Sequence, residues 1–399
     1  MTALKHASAL LRDASISAIV SGFVSVLVGF SSAAVIVFQA AQALGATEAE
    51  IASWMWALGI GLGLTTIALS LRYRVPVVTA WSTPGAAMLI TSAANISMAE
   101  GIGAFLISAA LITICGLSGW FERVMNRIPL SMASGLLAGV LLRFGLNVFV
   151  AMETQFWMVF VMFCGYLIAY RWVSRYAVLI ALTLGVVIAA FQGTLQVDGF
   201  RLELATPILT QPQFSLPAIV GVALPLFAVT MASQNVPGVA VLRASGYERV
   251  PISPLISWTG IATLLLAPLG AFAMNLAAIT AAICMGPEAH KDPDKRYVAA
   301  VAAGVFYLLV GIFGATVGAL FTALPEELVL AIAGLALLST IGKGLAAALG
   351  QDTEREPALI TFLVTASGLT MWGIGSAFWG LVAGTLAMGL LRVKPLESV

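Results

Sequence analysis

Apolar residues follow one another in runs of about 20 along almost the whole chain, and each run is long enough to cross a ~30 Å hydrocarbon layer as a helix. The polar residues gather in short connections between the runs. The pattern predicts an all-α membrane protein with about fourteen transmembrane segments. Their ranges are 17–44, 51–71, 76–96, 101–120, 130–150, 155–172, 176–191, 217–242, 252–269, 270–285, 297–323, 327–346, 358–372 and 374–391.

Two of these segments, the third and the tenth, do not have the pattern of complete helices. Residues 76–82 are rich in β-branched side chains and too few to cross as a helix, and Pro84 then stands where a helix start tolerates proline. Gly270 and Asn275 interrupt the other segment. Each is expected to be a short extended piece that leads into a half-helix near the middle of the membrane. Interrupted segments are the best sequence indicator of a transporter's binding site.

The eighth segment carries three polar residues in a row, Ser233, Gln234 and Asn235, directly before Pro237 and Gly238. Proline removes a helix hydrogen bond, so we expect the helix to break here. Backbone that leaves helix geometry at membrane depth needs partners in protein or in a water-lined cavity. The eighth and tenth segments are therefore expected to face one binding site.

Composition excludes an ordinary soluble domain. Hydrophobic residues make up 60% of the 399 residues and charged residues 9%, against roughly 25% charged in soluble domains, and the mean hydropathy is +1.03. The net charge of +1 gives no indication of nucleic-acid binding. The three cysteines have no metal-ligand spacing and are expected to pack in helices, so no metal or cofactor is predicted. Without a nucleophile–base pair in the segments, a carrier is favoured over a membrane enzyme.

Charges in the connections predict the orientation. Basic residues such as Arg72, Arg74 and Arg123 fall in every second connection, and acids such as Glu48 and Glu100 fall in the others. Basic residues favour the cytoplasmic side, so both termini are predicted to be cytoplasmic.

The interrupted segments occupy the third place in each half of the chain. This order predicts two repeats of seven segments, 1–195 and 217–399. Because seven is odd, the second repeat runs through the membrane opposite to the first, as in inverted-repeat transporters.

Two half-helices that meet near the middle of the membrane bring two N-termini together. Their unpaired N–H groups and partial positive charges favour a small anion. We expect the anion to contact backbone or side chains of Ser31, Ser32, Ser82, Thr83, Gly85, Gln234, Asn235, Asn275, Leu276 and Ala277. Ser31 and Ser32 have the alternative of bonding to their own backbone, and Asn275 that of capping the half-helix.

Arg143 is the basic side chain that lies well inside a segment. It is expected to attract an anion, to counter an acid on a neighbouring segment, to snorkel outward or to bond carbonyls, and the sequence does not decide between these roles. No Asp or Glu stands clearly within the central segments, so the sequence identifies no group that carries a proton.

Three stretches, 79–85 (TAWSTPG), 233–238 (SQNVPG) and 275–282 (NLAAITAA), resemble the benzoate:proton symporters of bacteria, a family similar to nucleobase permeases and sulfate/bicarbonate carriers. The resemblance implies a core domain from segments 1–4 and 8–11 (17–120, 217–323) and a gate domain from segments 5–7 and 12–14 (130–193, 326–391). It also implies a carrier of the bacterial inner membrane that imports benzoate or a similar aromatic carboxylate with protons, by movement of core against gate.

One departure from the related uracil permeases bears on the substrate. By that resemblance, the eighth and tenth segments of the uracil permeases carry acidic residues that take part in substrate binding and proton coupling. The corresponding stretches of this chain have Gln234, Asn235 and Asn275 instead. A fixed negative charge would repel a carboxylate, whereas amides and helix N-termini would hold it. The expected partners are therefore a benzoate-like anion, protons and the lipid bilayer. Another small anion, a nucleobase and a passive anion channel remain as alternatives, and a homodimer is left open.

Overall fold

The computed structural model describes residues 10, 12–92, 96–195, 204–322, 324–371 and 374–392. In this part of the chain, eight helices are long and apolar enough to cross a membrane. Three shorter apolar helical stretches accompany them, at Ile16–Phe30, Ala177–Phe191 and Ser376–Leu391. The prediction of a largely helical membrane protein is confirmed.

The helices of the first half are α1 Ile16–Ala43, α2 Glu48–Tyr73, α3 Thr83–Ser92, α4 Met98–Leu117, α5 Trp120–Met125, α6 Leu130–Thr154, α7 Phe156–Val173 and α8 Ala177–Phe191. Those of the second half are α9 Leu216–Ala244, α10 Ile252–Leu266, α11 Ile279–Met285, α12 Tyr297–Thr322, α13 Glu326–Leu349, α14 Arg355–Ser367 and α15 Ser376–Arg392. Two strands of two residues each, β1 Thr79–Ala80 and β2 Asn275–Leu276, precede α3 and α11.

Most predicted helix ends lie within about four residues of those in the structure, and two larger differences have a clear cause. The short helix α5 occupies a stretch predicted to be a connection, and it starts after Gly119, which has a left-handed φ of 67°. Segment 13 was predicted to reach residue 372, but α14 ends at Ser367. Gly368 has a φ of 72° and donates its N–H to the Thr365 carbonyl, an arrangement that stops a helix and satisfies its last carbonyls.

The predicted break in the eighth segment is wrong. α9 stays helical throughout, but the stretches Ile219–Ala223 and Met231–Asn235 are π-helical. Each stretch ends two residues before a proline, Pro225 or Pro237. A proline ring clashes with the carbonyl four residues earlier, which lies inside the π stretch in both cases, and the wider turn gives that carbonyl room. The polar residues 233–235 therefore lie on a widened helix and not on an open loop.

The interruptions expected at 76–96 and 270–285 are present among the described residues. β1 and β2 pair antiparallel, with Thr79 opposite Leu276 and Ala80 opposite Asn275. The Ala277 N–H extends this ladder by donating to the Val78 carbonyl at 2.9 Å. This pairing satisfies backbone groups that leave helix geometry inside the membrane. Because the strands are antiparallel, α3 and α11 leave the ladder in opposite directions.

Close helix crossings divide the helices into two groups. α2 crosses α12 where Gly59 meets Gly311, and α4 crosses α10 at Gly116 and Gly260. In the second group, α6 packs against α13 and α14, and Gly334 of α13 lies against the Phe144 carbonyl of α6. Small residues let helix backbones approach closely where hydrophobic burial gives little drive. α3 and α11 pack against α1, which in turn packs against α12 of the first group, whereas α9 contacts helices of both groups.

Candidate functional site

A cavity of about 250 Å³ lies between the two interrupted segments. Its walls come from α1, α6, α9 and α12, from the first turn of α3, and from the residues that lead into α11. Among the described residues no Asp, Glu, Lys or Arg side chain lines it. The volume is below the ~300–1,000 Å³ typical of sites for drug-sized ligands, and it suits a small molecule.

Four polar side chains line this cavity: Thr83, Gln234, Thr280 and Tyr307. Thr280 is 7% exposed, and its hydroxyl has no hydrogen-bond partner among the residues that the structure describes. A buried hydroxyl without a partner is costly, so it is a candidate to bond a ligand. Trp81 and Phe144 supply aromatic surface. The cavity therefore combines an apolar wall with a few polar groups.

The first turn of α3 uses most of its own donors. Ser82 is fully buried, and its Oγ accepts from the Gly85 N–H at 3.1 Å, as an N-cap does. The Ser82 carbonyl accepts from the Ala86 N–H, and Pro84 has no N–H. A Cβ at Gly85 would lie 2.6 Å from Leu226, so this glycine serves helix packing. Of the predicted contacts in this turn, Thr83 is the one that lines the cavity.

The predicted donors of the second interrupted segment are also engaged in part. The Leu276 N–H donates to Asn235 Oδ1 at 3.0 Å, and the Ala277 N–H donates to Val78. Ala277 itself lines the cavity, whereas Leu276 does not. The next N–H groups, in the first turn of α11, are those that a helix leaves without an internal acceptor. The donors nearest the cavity thus lie about two to four residues later than predicted, close to Thr280.

The three predicted amides lie in different places. Gln234 lines the cavity. Asn235 is fully buried behind the wall, where its Nδ2 contacts Met231 Sδ at 3.2 Å while its Oδ1 holds Leu276. Asn275 is also fully buried and donates to the Ala273 carbonyl at 2.9 Å. Gln234 is therefore positioned to contact a ligand, and the two asparagines are positioned to hold the second interrupted segment.

The side chains of Ser31 and Ser32 lie outside the described part, so their predicted contact stays a prediction. Their backbone belongs to α1, whose Val28 and Gly29 line the cavity. Phe30 packs edge-on against Trp81, with ring centroids 6.1 Å apart, and supports the aromatic wall from behind.

Arg143 does not line the cavity, although the next residue, Phe144, does. A Cβ built on Gly368 would lie 2.6 Å from Arg143 Nη2, so the guanidinium lies at the C-terminal end of α14. Carbonyls at a helix C-terminus attract a cation. Of the roles considered for Arg143, this position disfavours contact with a ligand in the cavity.

Sequence reasoning did not select Thr280, Tyr307 or Glu288. Thr280 lies within the recognised stretch 275–282, and its place in the first turn of a half-helix was a usable signal. Tyr307 comes from α12, and nothing in the sequence brings it near α11. Glu288 stands just after α11 and is 5% exposed.

Comparison with known proteins shows the family to which the chain is similar. The profile of the family described as "Benzoate membrane transport protein" matches residues 12–390. A protein of Acinetobacter baylyi (strain ATCC 33305 / BD413 / ADP1) with the same description is 42% identical over 389 residues, which cover 98% of each chain. The "Inner membrane protein YdcO" of Escherichia coli (strain K12) is 48% identical over 375 residues, or 94% of this chain and 96% of that one.

Among solved structures, that of SLC26A9 is similar, with a TM-score of 0.51 at 10% sequence identity. The match covers 94% of this chain and 65% of that chain. At this identity the likeness concerns the fold alone.

Proposed function

Because the chain belongs to the benzoate membrane transport protein family, a family of membrane transporters and not of enzymes, we propose that it is a secondary active transporter that imports benzoate or a similar small aromatic carboxylate together with protons. The substrate would occupy the cavity between the two interrupted segments. The related protein described as a benzoate transporter supports this substrate class.

The make-up of the cavity is the observation that carries the proposal. Trp81 and Phe144 would cover the faces of an aromatic ring, and Gln234, Thr83 and Thr280 would bond the carboxylate. No acidic side chain of the described lining would repel an anion. The first N–H groups of α11 would add donors, although a helix of seven residues contributes only a modest dipole. We assign Asn235 and Asn275 to holding the site and not to direct contact.

We propose that transport proceeds by alternating access, with the first helix group as the core (17–120, 217–323) and the second as the gate (130–193, 326–391). The cavity lies where they meet, because Phe144 of α6 faces the core residues Thr83 and Gln234. A sliding movement of the core against α6 and α13 would therefore change the side of the membrane from which the cavity is accessible.

The fourteen-segment arrangement in two inverted repeats is part of the same proposal. The helix contacts support it when segments 1–7 are matched in order to segments 8–14. The contact of α2 with α12 joins segments 2 and 11, and that of α10 with α4 joins their equivalents, segments 9 and 4. The pairs α7 with α8 and α14 with α15 are equivalent in the same way. The proposal keeps both termini in the cytoplasm of a bacterial inner membrane and leaves a homodimer open.

Uptake of labelled benzoate into proteoliposomes tests the function. Protein-free liposomes are the control, since undissociated benzoic acid crosses lipid by itself. We expect saturable, protein-dependent uptake that an inside-alkaline pH gradient accelerates and that other aromatic carboxylates inhibit. Inhibition by uracil but not by aromatic acids would favour a nucleobase carrier, and flux that never saturates or accumulates would favour a channel.

A further inference from the structure

An acidic side chain is buried where the two helix groups meet, away from the cavity. Glu288 lies in the loop after α11 and is 5% exposed. Neither of its carboxylate oxygens has a hydrogen-bond partner among the described residues. Buried acids are normally paired or neutral, because an isolated charge is very costly to remove from water. The position of Glu288 therefore favours the protonated form.

The carboxyl group of Glu288 faces α13 of the second group. A Cβ built on Gly286 would lie 2.9 Å from Glu288 Oε2 and 3.5 Å from Thr340 Oγ1, so both oxygens border one small space. Thr340 Oγ1 is buried and also has no partner among the described residues. The other titratable or polar groups near the carboxyl are Ser339 and Lys343 of α13, Tyr166 of α7 and Arg296.

The loop that carries Glu288 is fixed to the first helix group. Arg296 donates to the Met285 carbonyl and to the His290 carbonyl, both at 2.8 Å, and is thereby held on backbone oxygens. Ser17 of α1 donates to the Ala289 carbonyl at 3.1 Å. Glu288 would consequently move with α11, while Thr340 and Lys343 would stay with α13.

We propose that Glu288 is a proton-binding site that is covered and uncovered as the two helix groups move against each other. The inference rests on the proposed alternating access. While α13 covers it, the carboxyl holds one proton. When the groups separate, water reaches the carboxylate, the O–H bond breaks and the proton passes to water.

The electrostatics of the loop agree with this role. Burial raises the pKa of the Glu288 carboxyl, and Ser339, Lys343 and Arg296 oppose that rise. A carboxyl whose pKa is raised in the covered state favours that state at low pH. This stabilisation of the covered state is lost as the pH rises above about 4.3, the pKa of an exposed glutamate, and through the raised pKa of the covered Glu288. Because α11 links the cavity to Glu288 over about 10 Å of helix, a proton and a substrate would act on the same element.

Infrared spectroscopy of the purified full chain tests the site without any substrate. Wild type should show a protonated-carboxyl C=O band that persists above the pH at which an exposed glutamate loses its proton and that titrates away as the pH rises further. Glu288→Gln should lack this band. Glu326→Gln, which changes an exposed acid at the other end of α13, should keep it. An unchanged band in Glu288→Gln would overturn the proposal.

Exchange of labelled for unlabelled benzoate, at equal pH inside and outside the liposomes, tests the consequence. Between about pH 5.5 and 8.5 a carboxylic acid with a pKa of about 4 is ionised throughout, so changes report the protein. The wild-type rate should fall by up to about tenfold per pH unit above the raised pKa. Glu288→Gln, which resembles the protonated form, should give a flat profile. A wild-type profile in this variant, or a folded variant without exchange at any pH, would contradict the proposal.

Lys343→Met provides a second test that leaves Glu288 in place, in case Glu288→Gln does not fold. Removal of the positive charge should move the midpoint of the infrared titration to higher pH, and an unmoved midpoint would count against the site. If wild type showed no protein-dependent benzoate exchange, the proposed function would fail, and the infrared titration would still decide whether Glu288 binds a proton.

Discussion

The two short helices beside the cavity are held in place in different ways. The start of α3 is set by its own sequence, because Ser82 caps its first turn. The strand before α11 is fixed by other helices, since Asn235 of α9 holds the Leu276 N–H and Thr263 of α10 accepts from the Met274 N–H at 3.2 Å. The cap of α3 is therefore local, although Thr79 in the strand before α3 bonds to Thr66 of α2. The strand before α11 depends on contacts with α9 and α10.

The same contrast separates two adjacent amides of α9. Gln234 faces the cavity, whereas Asn235 faces the second interrupted segment. Both lie in or beside the π-helical stretch before Pro237. Because the two side chains face different groups, substitutions at these positions should affect stability and substrate binding separately.

Asn235→Ala should have the largest effect on stability. It leaves the buried Leu276 N–H without an acceptor, at a cost of about 1–3 kcal/mol, and the loss of transport should accompany a lower Tm in detergent. Asn235→Asp keeps an acceptor and should retain more stability at low pH than at neutral pH. A wild-type Tm for Asn235→Ala would show that α9 does not hold the second interrupted segment.

Gly238→Ala tests the same contact by overcrowding. A Cβ there would lie 2.7 Å from Leu276 Cβ and 2.8 Å from its carbonyl oxygen. We expect a loss of roughly 1–3 kcal/mol in the free energy of unfolding. Gly221→Ala is the matched control, because it lies in the same helix and a Cβ there meets nothing within 4 Å. Equal Tm values for the two variants would refute the close approach.

Ser82→Ala should have a smaller effect, because it removes one local cap. The expected loss is about 1 kcal/mol, measured as a fall in Tm, and Ser82→Thr should recover most of it. If Ser82→Ala destabilised the protein more than Asn235→Ala, the assignment of a local cap to α3 and of tertiary support to the strand before α11 would be reversed.

Gln234→Ala should change stability least and substrate binding most clearly. Loss of one hydrogen bond to a charged ligand, worth about 1.5–3 kcal/mol, should weaken benzoate binding by roughly tenfold or more, while the Tm stays close to that of wild type. Titration of the purified variant with benzoate measures the affinity, and thermal unfolding of the same preparation measures the Tm. Unchanged affinity would remove Gln234 from the site.

The contrast also explains how far the sequence could lead. The interrupted segments, their extended pieces and the Thr83 and Gln234 positions follow from local signals: β-branched runs, prolines and polar residues in apolar sequence. The sequence did not reveal that Pro237 widens α9 without breaking it, because that outcome depends on how neighbouring helices pack. It also did not indicate that Asn235 bonds to Leu276, 41 residues later, or that Tyr307 reaches the cavity. Such contacts depend on tertiary structure, which single-sequence patterns do not encode.

The most direct test of the central claim is to locate a bound aromatic carboxylate. Anomalous scattering from crystals of the full chain with 4-iodobenzoate would give the position of the iodine atom, and the density would give that of the carboxylate. We expect the ring between Trp81 and Phe144, with the carboxylate within hydrogen-bonding distance of Gln234 and Thr280. An iodine signal confined to sites outside this cavity would contradict the account.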